Sequence, residues 1–266
     1  MVAQRSYRLL DVPIEVAVDD AAAAAIDRVL GGFRSARPTC GRTRFGLSRQ
    51  GGDCLVLRGD EVVARSHSWD VAVDALVTVV NGEAIGDFNG FAVHAGVIAW
   101  GDGAIAFPGI SGAGKSTLTA ACLQSGARYV SDEALCVAFD TGLVIPYAKP
   151  IRLSESSQRL LGWAPRPSDV LVTAAELGAP TVDVPLPLSH LVQLARTEDR
   201  PRLIPLPRST GLADLLRFSF NHYKRPEAAF ELAGRLATGA RAWRLEYSSL
   251  GAAAELLLTL VEAKAA

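Results

Sequence analysis

Eight consecutive residues, Gly109, Ile110, Ser111, Gly112, Ala113, Gly114, Lys115 and Ser116, spell G-x-x-x-x-G-K-[ST], and Thr117 follows them. The chain carries 27 lysines and arginines, of which only Lys115, Lys149, Lys224 and Lys264 are lysines, and one of these four fills the position the motif reserves for lysine. The surroundings fit: residues 104–107 read as a short buried strand entering the loop, and residues 116–124 as a helix leaving it. Glycines let the backbone wrap so that successive N–H groups converge on phosphate oxygens. The helix N-terminus adds about half a positive charge, and the lysine ammonium reaches the outer phosphates. Ser116 is placed to ligate Mg²⁺. ATP or another nucleoside triphosphate is therefore the expected ligand, held by residues 109–117.

Composition narrows the rest. At 266 residues, 49% hydrophobic and 21% charged, the chain has the profile of a soluble globular protein of one large or two small domains. A net charge of −1, with no basic stretch, argues against nucleic acid as a partner. No apolar segment is long enough to span a bilayer, and the first residues lack the apolar core of a secretion signal, so cytoplasmic residence is expected. Cys40, Cys54, Cys122 and Cys136 show no C-x-x-C spacing and read as reduced thiols, Cys122 and Cys136 as small core residues. His67, His94, His190 and His222 lack metal-ligand spacing.

Residues 1–88 read as a small α+β region. A strand is expected at 14–18, a helix at 21–30, and a hairpin around the turn 58–61. Trp69, Val73, Leu76, Val77 and Val80 recur with helical period, and Asn81 and Gly82 are expected to stop that helix. Residues 89–266 form the second region. Strands at 92–100 and 104–107 join through Gly101, Asp102 and Gly103, and further strands are expected at 128–130, 135–139, 143–145, 190–195, 203–204 and 243–247. The proline-rich stretch 146–187 reads as irregular, with one short helix near 154–161. Helices at 212–218, 226–238 and 250–263 complete the pattern.

A phosphate loop says what is gripped, and the chemistry depends on what faces the outer phosphate. Asp132 and Glu133 follow the strand at 128–130. If that strand runs parallel beside the loop strand, its C-terminal end delivers both carboxylates to the phosphates. One carboxylate would accept a proton from a nucleophile and the other would help hold Mg²⁺, making Ser116, Asp132 and Glu133 the candidate metal ligands. Ser131, Asp132 and Glu133 also suit a solvated turn or a helix start. His94 interrupts an apolar strand. A lone histidine there is more often structural, and it gains interest only if its ring meets Asp132 and tunes that carboxylate.

The segment V-H-A-G-V-I-A-W-G-D-G-A-I-A-F-P-G-I-S-G-A-G-K-S, followed by Q-S-G-A-R-Y-V-S-D-E, resembles the catalytic domain of the HPr kinase/phosphorylase family over residues 91–140. His94, the loop residues 109–117 and Asp132 match that family's pattern, and Glu133 stands where the family has a second aspartate. The resemblance implies an α/β fold like that of ATP-type phosphoenolpyruvate carboxykinase, a mixed sheet wrapped by helices. It further implies Asp132 as the base that activates a substrate hydroxyl, with His94 as its partner and Lys115 at the phosphates. The family's second motif, roughly L-E-I-R-G-x-G, has no counterpart. Pro146, Tyr147, Ala148, Lys149, Pro150, Ile151 and Arg152 stand instead, so the resemblance carries no expectation of phosphorolysis or of HPr as acceptor. It lies closer to HPr-kinase-like proteins of peptide-modification clusters, which include kinases of a terminal serine in lasso-peptide precursors. Lys149 and Arg152 are candidate phosphate or substrate contacts, because cations near the transferred group offset its charge.

The expected activity is Mg²⁺/ATP-dependent transfer of a γ-phosphate to a hydroxyl, a serine of a peptide or small protein. Two alternatives stay open: a small-molecule kinase on the same scaffold, and a nucleotide-gated regulatory ATPase that signals through a partner without transfer. The resemblance also suggests a homo-oligomer, while nothing marks the nucleotide's base.

Overall fold

The computed structural model describes residues 2–35 and 44–260, so Cys40, Lys264 and the end of the helix expected at 250–263 lie outside the described residues. The chain is a mixed α/β protein that divides into two compact units, Met1–Phe88 and Asn89–Ala266. Among the described residues no helix is long and apolar enough to cross a membrane.

The first unit is a five-stranded sheet with two helices. Its elements are β1 (Val2–Leu9), β2 (Val12–Asp19), α1 (Asp20–Leu30), β3 (Arg44–Gln50), β4 (Asp53–Arg58), β5 (Glu61–Ser66) and α2 (Trp69–Asp87), and the strands lie in sequence order. Along β2, Val12, Ile14, Val16 and Val18 are buried while their neighbours are half-buried, the two-residue period of a strand with one covered face. Asp19 caps α1 by accepting from the Ala21 N–H at 3.0 Å. The helix α2 corrects the expectation of a stop at Asn81 and Gly82: it runs on to Asp87. Ala84 and Ile85 extend its buried face, and that burial outweighs the roughly 1 kcal/mol a helical glycine costs. Strands β1 and β3 escaped the sequence reading because their polar alternation mimics loop.

The second unit contains β6 (Gly90–Trp100), β7 (Gly103–Pro108), α3 (Lys115–Gln124), β8 (Arg128–Ser131), β9 (Ala134–Ala138), β10 (Val144–Ile145), β11 (Ile151–Leu153), α4 (Glu155–Leu160), β12 (Val170–Val172), β13 (Leu188–Arg196), β14 (Arg202–Leu206), α5 (Arg208–Arg217), α6 (Pro226–Gly239), β15 (Arg241–Tyr247) and α7 (Leu250–Leu258). Its main sheet runs β10-β9-β6-β7-β13-β15-β14, with β8 also on β6. Strands β7, β13 and β15 are parallel; β7 is buried along its whole length and reads as a continuous apolar run, while β15 alternates buried and more exposed positions. One face packs beneath α5 and α6, and the other beneath α3 and α7.

Strand β6 positions everything that follows. One edge pairs with β7 from Ala95 to Trp100, and the other pairs with β9 from Gly90 to His94 and with β8 from Val97 to Ala99. The expected arrangement, β8 directly beside the loop strand, is thus corrected: β6 lies between them. Both β7 and β8 are antiparallel to β6, so they still point the same way and end at the same edge. The register that pairs Val97 with Ser131 and His94 with Ala134 puts Asp132 and Glu133 opposite Gly96 and Ala95, and the Ala95 N–H donates to the Glu133 carbonyl at 3.2 Å.

Gly96 is where α3 meets the sheet. A Cβ there would lie 2.6 Å from the Thr119 hydroxyl oxygen, 3.4 Å from the Phe107 ring and 3.5 Å from the Lys115 Cβ. Gly96→Ala is expected to destabilise the protein by about 1–3 kcal/mol, the usual penalty of overpacking, and Thr119→Ala in the same chain should recover much of that loss. Urea unfolding of both variants checks it. A single-variant change within about 0.5 kcal/mol of zero would mean that α3 does not depend on this close approach.

Candidate active site

Strand β7 ends at Pro108, and the chain then leaves the sheet as a loop pinned at its start by the Gly109 N–H, which donates to the His94 carbonyl at 3.2 Å. Two glycines carry the loop's curvature: Gly112 has φ +81° and Gly114 φ +90°, conformations that favour glycine. Gly114 is also the N-cap of α3 and has no side chain with which to satisfy the first-turn N–H groups. Those donors, with the positive end of the helix dipole, are a setting that favours anions, and Ile110, Ser111 and Gly112 are exposed beside it.

Lys115 is 5% exposed, and its ammonium donates to the carbonyls of Gly109 at 3.0 Å and Ile110 at 2.7 Å. Those bonds aim the charge across the mouth of its own loop. Burial lowers the Lys115 pKa, while Asp132 and Glu133 pull it back up. Thr117 turns its hydroxyl away, to the Ser157 hydroxyl on α4 at 2.8 Å, and Ser157 in turn meets Ser154 at 3.0 Å. This hydroxyl chain docks α4 against the first turn of α3.

Asp132 is 4% exposed, and its Oδ1 has no hydrogen-bond partner within the protein. Burial raises its pKa to about 6. Lys149, a hydrogen bond from Ser116 and the charge of Lys115 work against that rise, and Glu133 adds to it. Glu133 has different company. It is 35% exposed and pairs with the Lys149 ammonium at 3.4 Å. Lys149, 5% exposed, also donates to the Pro150 carbonyl at 3.2 Å. The segment that carries Lys149 is fastened under β8, by the Tyr147 N–H to the Val130 carbonyl at 2.9 Å and by the Tyr129 hydroxyl to the Lys149 carbonyl at 2.6 Å.

His94 is half-buried on β6, with its ring 5.3 Å from that of Phe220. Burial lowers its pKa, Lys115 and Lys149 lower it further, and Glu133 is the carboxylate that raises it. Its charge partners are thus the lysines and Glu133 rather than Asp132, and the ring is neutral near pH 7. Arg152 is half-buried on β11 opposite Leu171. Lys115, Ser116, Asp132, Glu133, Lys149 and His94 are therefore one electrostatic cluster. Sequence reasoning missed Tyr129 as an anchor, Gly96 as the seat of α3, and Asn221, which clamps β6 through the Ala92 N–H at 3.0 Å and the Gly90 carbonyl at 2.9 Å. A glycine inside an apolar strand was a usable signal for Gly96, since it often marks close backbone approach.

Among the described residues no three His, Cys, Asp or Glu side chains gather into a metal cage. Mg²⁺ does not need one, because it is commonly held by one or two protein oxygens together with substrate phosphates. The unpartnered Asp132 oxygen beside Ser116 suits that role, while Glu133 is engaged by Lys149. The buried thiols do not contribute. Cys54, Cys122 and Cys136 are free and buried, and burial pushes Cys122 up to about 12 and Cys136 up as well. Compared with protein-family models and with curated proteins, the chain matches none.

The raised Asp132 pKa has a thermodynamic sign. Between about pH 4 and pH 6 the folded chain holds a proton that the unfolded chain has lost, so stability falls as pH rises through that window. A two-unit shift corresponds to about 3 kcal/mol at most. Asp132→Asn should therefore be more stable than wild type at pH 8 and no more stable than it at pH 4, in denaturant titrations at each pH. Equal or lower stability of the variant at pH 8 would show that the ionised carboxylate is not a burden to the fold.

Proposed function

We propose that this protein is a Mg²⁺/ATP-dependent kinase that transfers the γ-phosphate to a hydroxyl, a serine of a peptide or small protein. The observation that carries this reading is Asp132: a buried carboxylate with one unpartnered oxygen, set across Gly96 from the phosphate loop. A pKa of about 6 suits a general base that works near neutral pH, since it is ionised there yet still basic enough to take a proton. The likeness of residues 91–140 to the HPr kinase/phosphorylase family supports the same assignment.

The chain's own groups divide the work. The backbone N–H groups of residues 109–116 and the α3 dipole hold and orient the triphosphate, and Lys115 sets a cation against its outer oxygens. Asp132 accepts the acceptor hydroxyl's proton. Ser116 and Asp132 would hold Mg²⁺, which when bound neutralises phosphate charge. Lys149 adds a second buried cation and fixes Glu133. Neutral His94 feels the charges of both lysines and of Glu133, and a group that only tunes the site contributes less than the base. Closing these groups away from solvent strengthens every electrostatic contact among them.

Loss of γ-phosphate transfer should follow the order Lys115→Ala, then Asp132→Asn, then His94→Ala. For Asp132→Asn the expected fall is on the order of 10²–10⁴, with affinity for nucleotide in the absence of Mg²⁺ little changed, the usual signature of a missing general base. Transfer from labelled ATP to a serine-peptide library, alongside nucleotide binding by calorimetry, measures both. Wild-type transfer by Asp132→Asn would refute the base. ATP binding that recruits a protein partner, with no hydroxyl acceptor phosphorylated, would favour a nucleotide-gated regulator.

A further inference from the structure

Arg196 and Tyr247 end β13 and β15 and pair with each other across that parallel ladder. Because β13 is also parallel to β7, both residues stand at the sheet edge from which the phosphate loop springs. Tyr247 is 1% exposed, and its hydroxyl proton has no acceptor within the protein, because Arg196, the group beside the phenol oxygen, can only donate. The hydroxyl is aimed at the loop: a Cβ on Gly114 would sit 3.1 Å from the phenol oxygen. Gly114 is the N-cap of α3, so the hydroxyl reaches the turn where the backbone donors converge. Arg196 lies over the ring, its guanidinium carbon 5.8 Å from the centroid. Burial raises the phenol's pKa, and Arg196 opposes that rise through its charge and by donating to the phenol oxygen, so the group remains a neutral donor at pH 7.

Buried hydroxyls are nearly always satisfied, and a hydroxyl proton left without an acceptor is a standing penalty on the fold. The retained hydroxyl therefore needs a reason outside the resting protein. We infer that Tyr247 is a phosphate-binding residue whose hydroxyl donates to an oxygen of a polyphosphate seated at the N-terminus of α3. This rests on the loop being a triphosphate site. It adds a neutral donor from the β15 side to the backbone donors and the lysine, and it predicts recognition of the phosphates independently of the base.

Tyr247→Phe removes only the oxygen. The probes are ATP with Mg²⁺ and inorganic tripolyphosphate, titrated by calorimetry against wild type, Tyr247→Phe and Lys115→Ala, with the thermal midpoint of each ligand-free protein recorded. The expected result is affinity for both probes lowered on the order of ten-fold or more in Tyr247→Phe, with a ligand-free midpoint equal to or above wild type. Unchanged affinity for both probes overturns the inference. So does a loss of affinity with a lowered midpoint, which would mark the hydroxyl as structural. Weakening for ATP alone also overturns it, because the contact would then be to the nucleoside. If wild type binds neither probe and Lys115→Ala changes nothing, the loop reading itself fails, an outcome distinct from failure at Tyr247.

Discussion

The closeness with which α3 lies on β6 governs the rest of the second unit. At Gly96 the sheet offers no side chain, and Thr119, Phe107 and Lys115 occupy the space that a methyl group would need. That seat sets how far the glycine-rich loop stands from Asp132, because the loop begins on one flank of β6 and the carboxylates interrupt the ladder on the other. One side of β6 loses β7 at Ala95, where the Gly109 N–H takes the His94 carbonyl. The opposite side loses regular pairing at Asp132 and Glu133. Two unrelated departures from regular sheet thus fall at the same level of one strand. The distance between the N-terminus of α3 and the carboxylate is then a property of a rigid strand, and sites built on such elements hold their geometry better than sites spread over loops.

This closeness has an electrostatic consequence. Two lysines and an aspartate, each 5% exposed or less, share one small region. Each ion's desolvation must be offset by its neighbours, and attraction between buried ions often fails to repay that penalty in full. The directions agree: burial is the largest influence on Lys115, on Asp132 and on His94, and every one of the three is pushed toward its neutral form. A cluster optimised only for stability would have apolar groups here. Strained electrostatics of this kind gather where a protein must bind or transform a charged ligand.

Much of this was legible in the sequence, and the parts that were not have physical reasons. The loop announced itself, because its glycines are required by positive φ at Gly112 and Gly114 and its lysine is one of four in the chain. The hairpin of β6 and β7 was readable from apolar runs around Gly101, Asp102 and Gly103. The stop assigned at Asn81 and Gly82 failed because tertiary burial of Ala84 and Ile85 overrides a weak local propensity. Strand neighbours were out of reach, since local pattern fixes direction and length but not which edge a strand joins. That is why β8 was expected beside β7 when it lies across β6. The partner of His94 was likewise a question of register rather than of spacing.

The clearest case is the pair Asp132 and Glu133, adjacent in sequence and chemically alike. Register places them opposite Gly96 and Ala95, and from there their environments diverge. Lys149 decides the difference. Tyr129 holds the Lys149 carbonyl at 2.6 Å, and the ammonium reaches Glu133 at 3.4 Å. Glu133 is thereby partnered and remains a third exposed, while Asp132 keeps a buried oxygen with no partner. A proline-flanked lysine, from a segment that sequence alone reads as irregular, separates two like carboxylates into one that is committed and one that is available. Charge placed by a tyrosine anchor, rather than the identity of either acid, sets which of them can act.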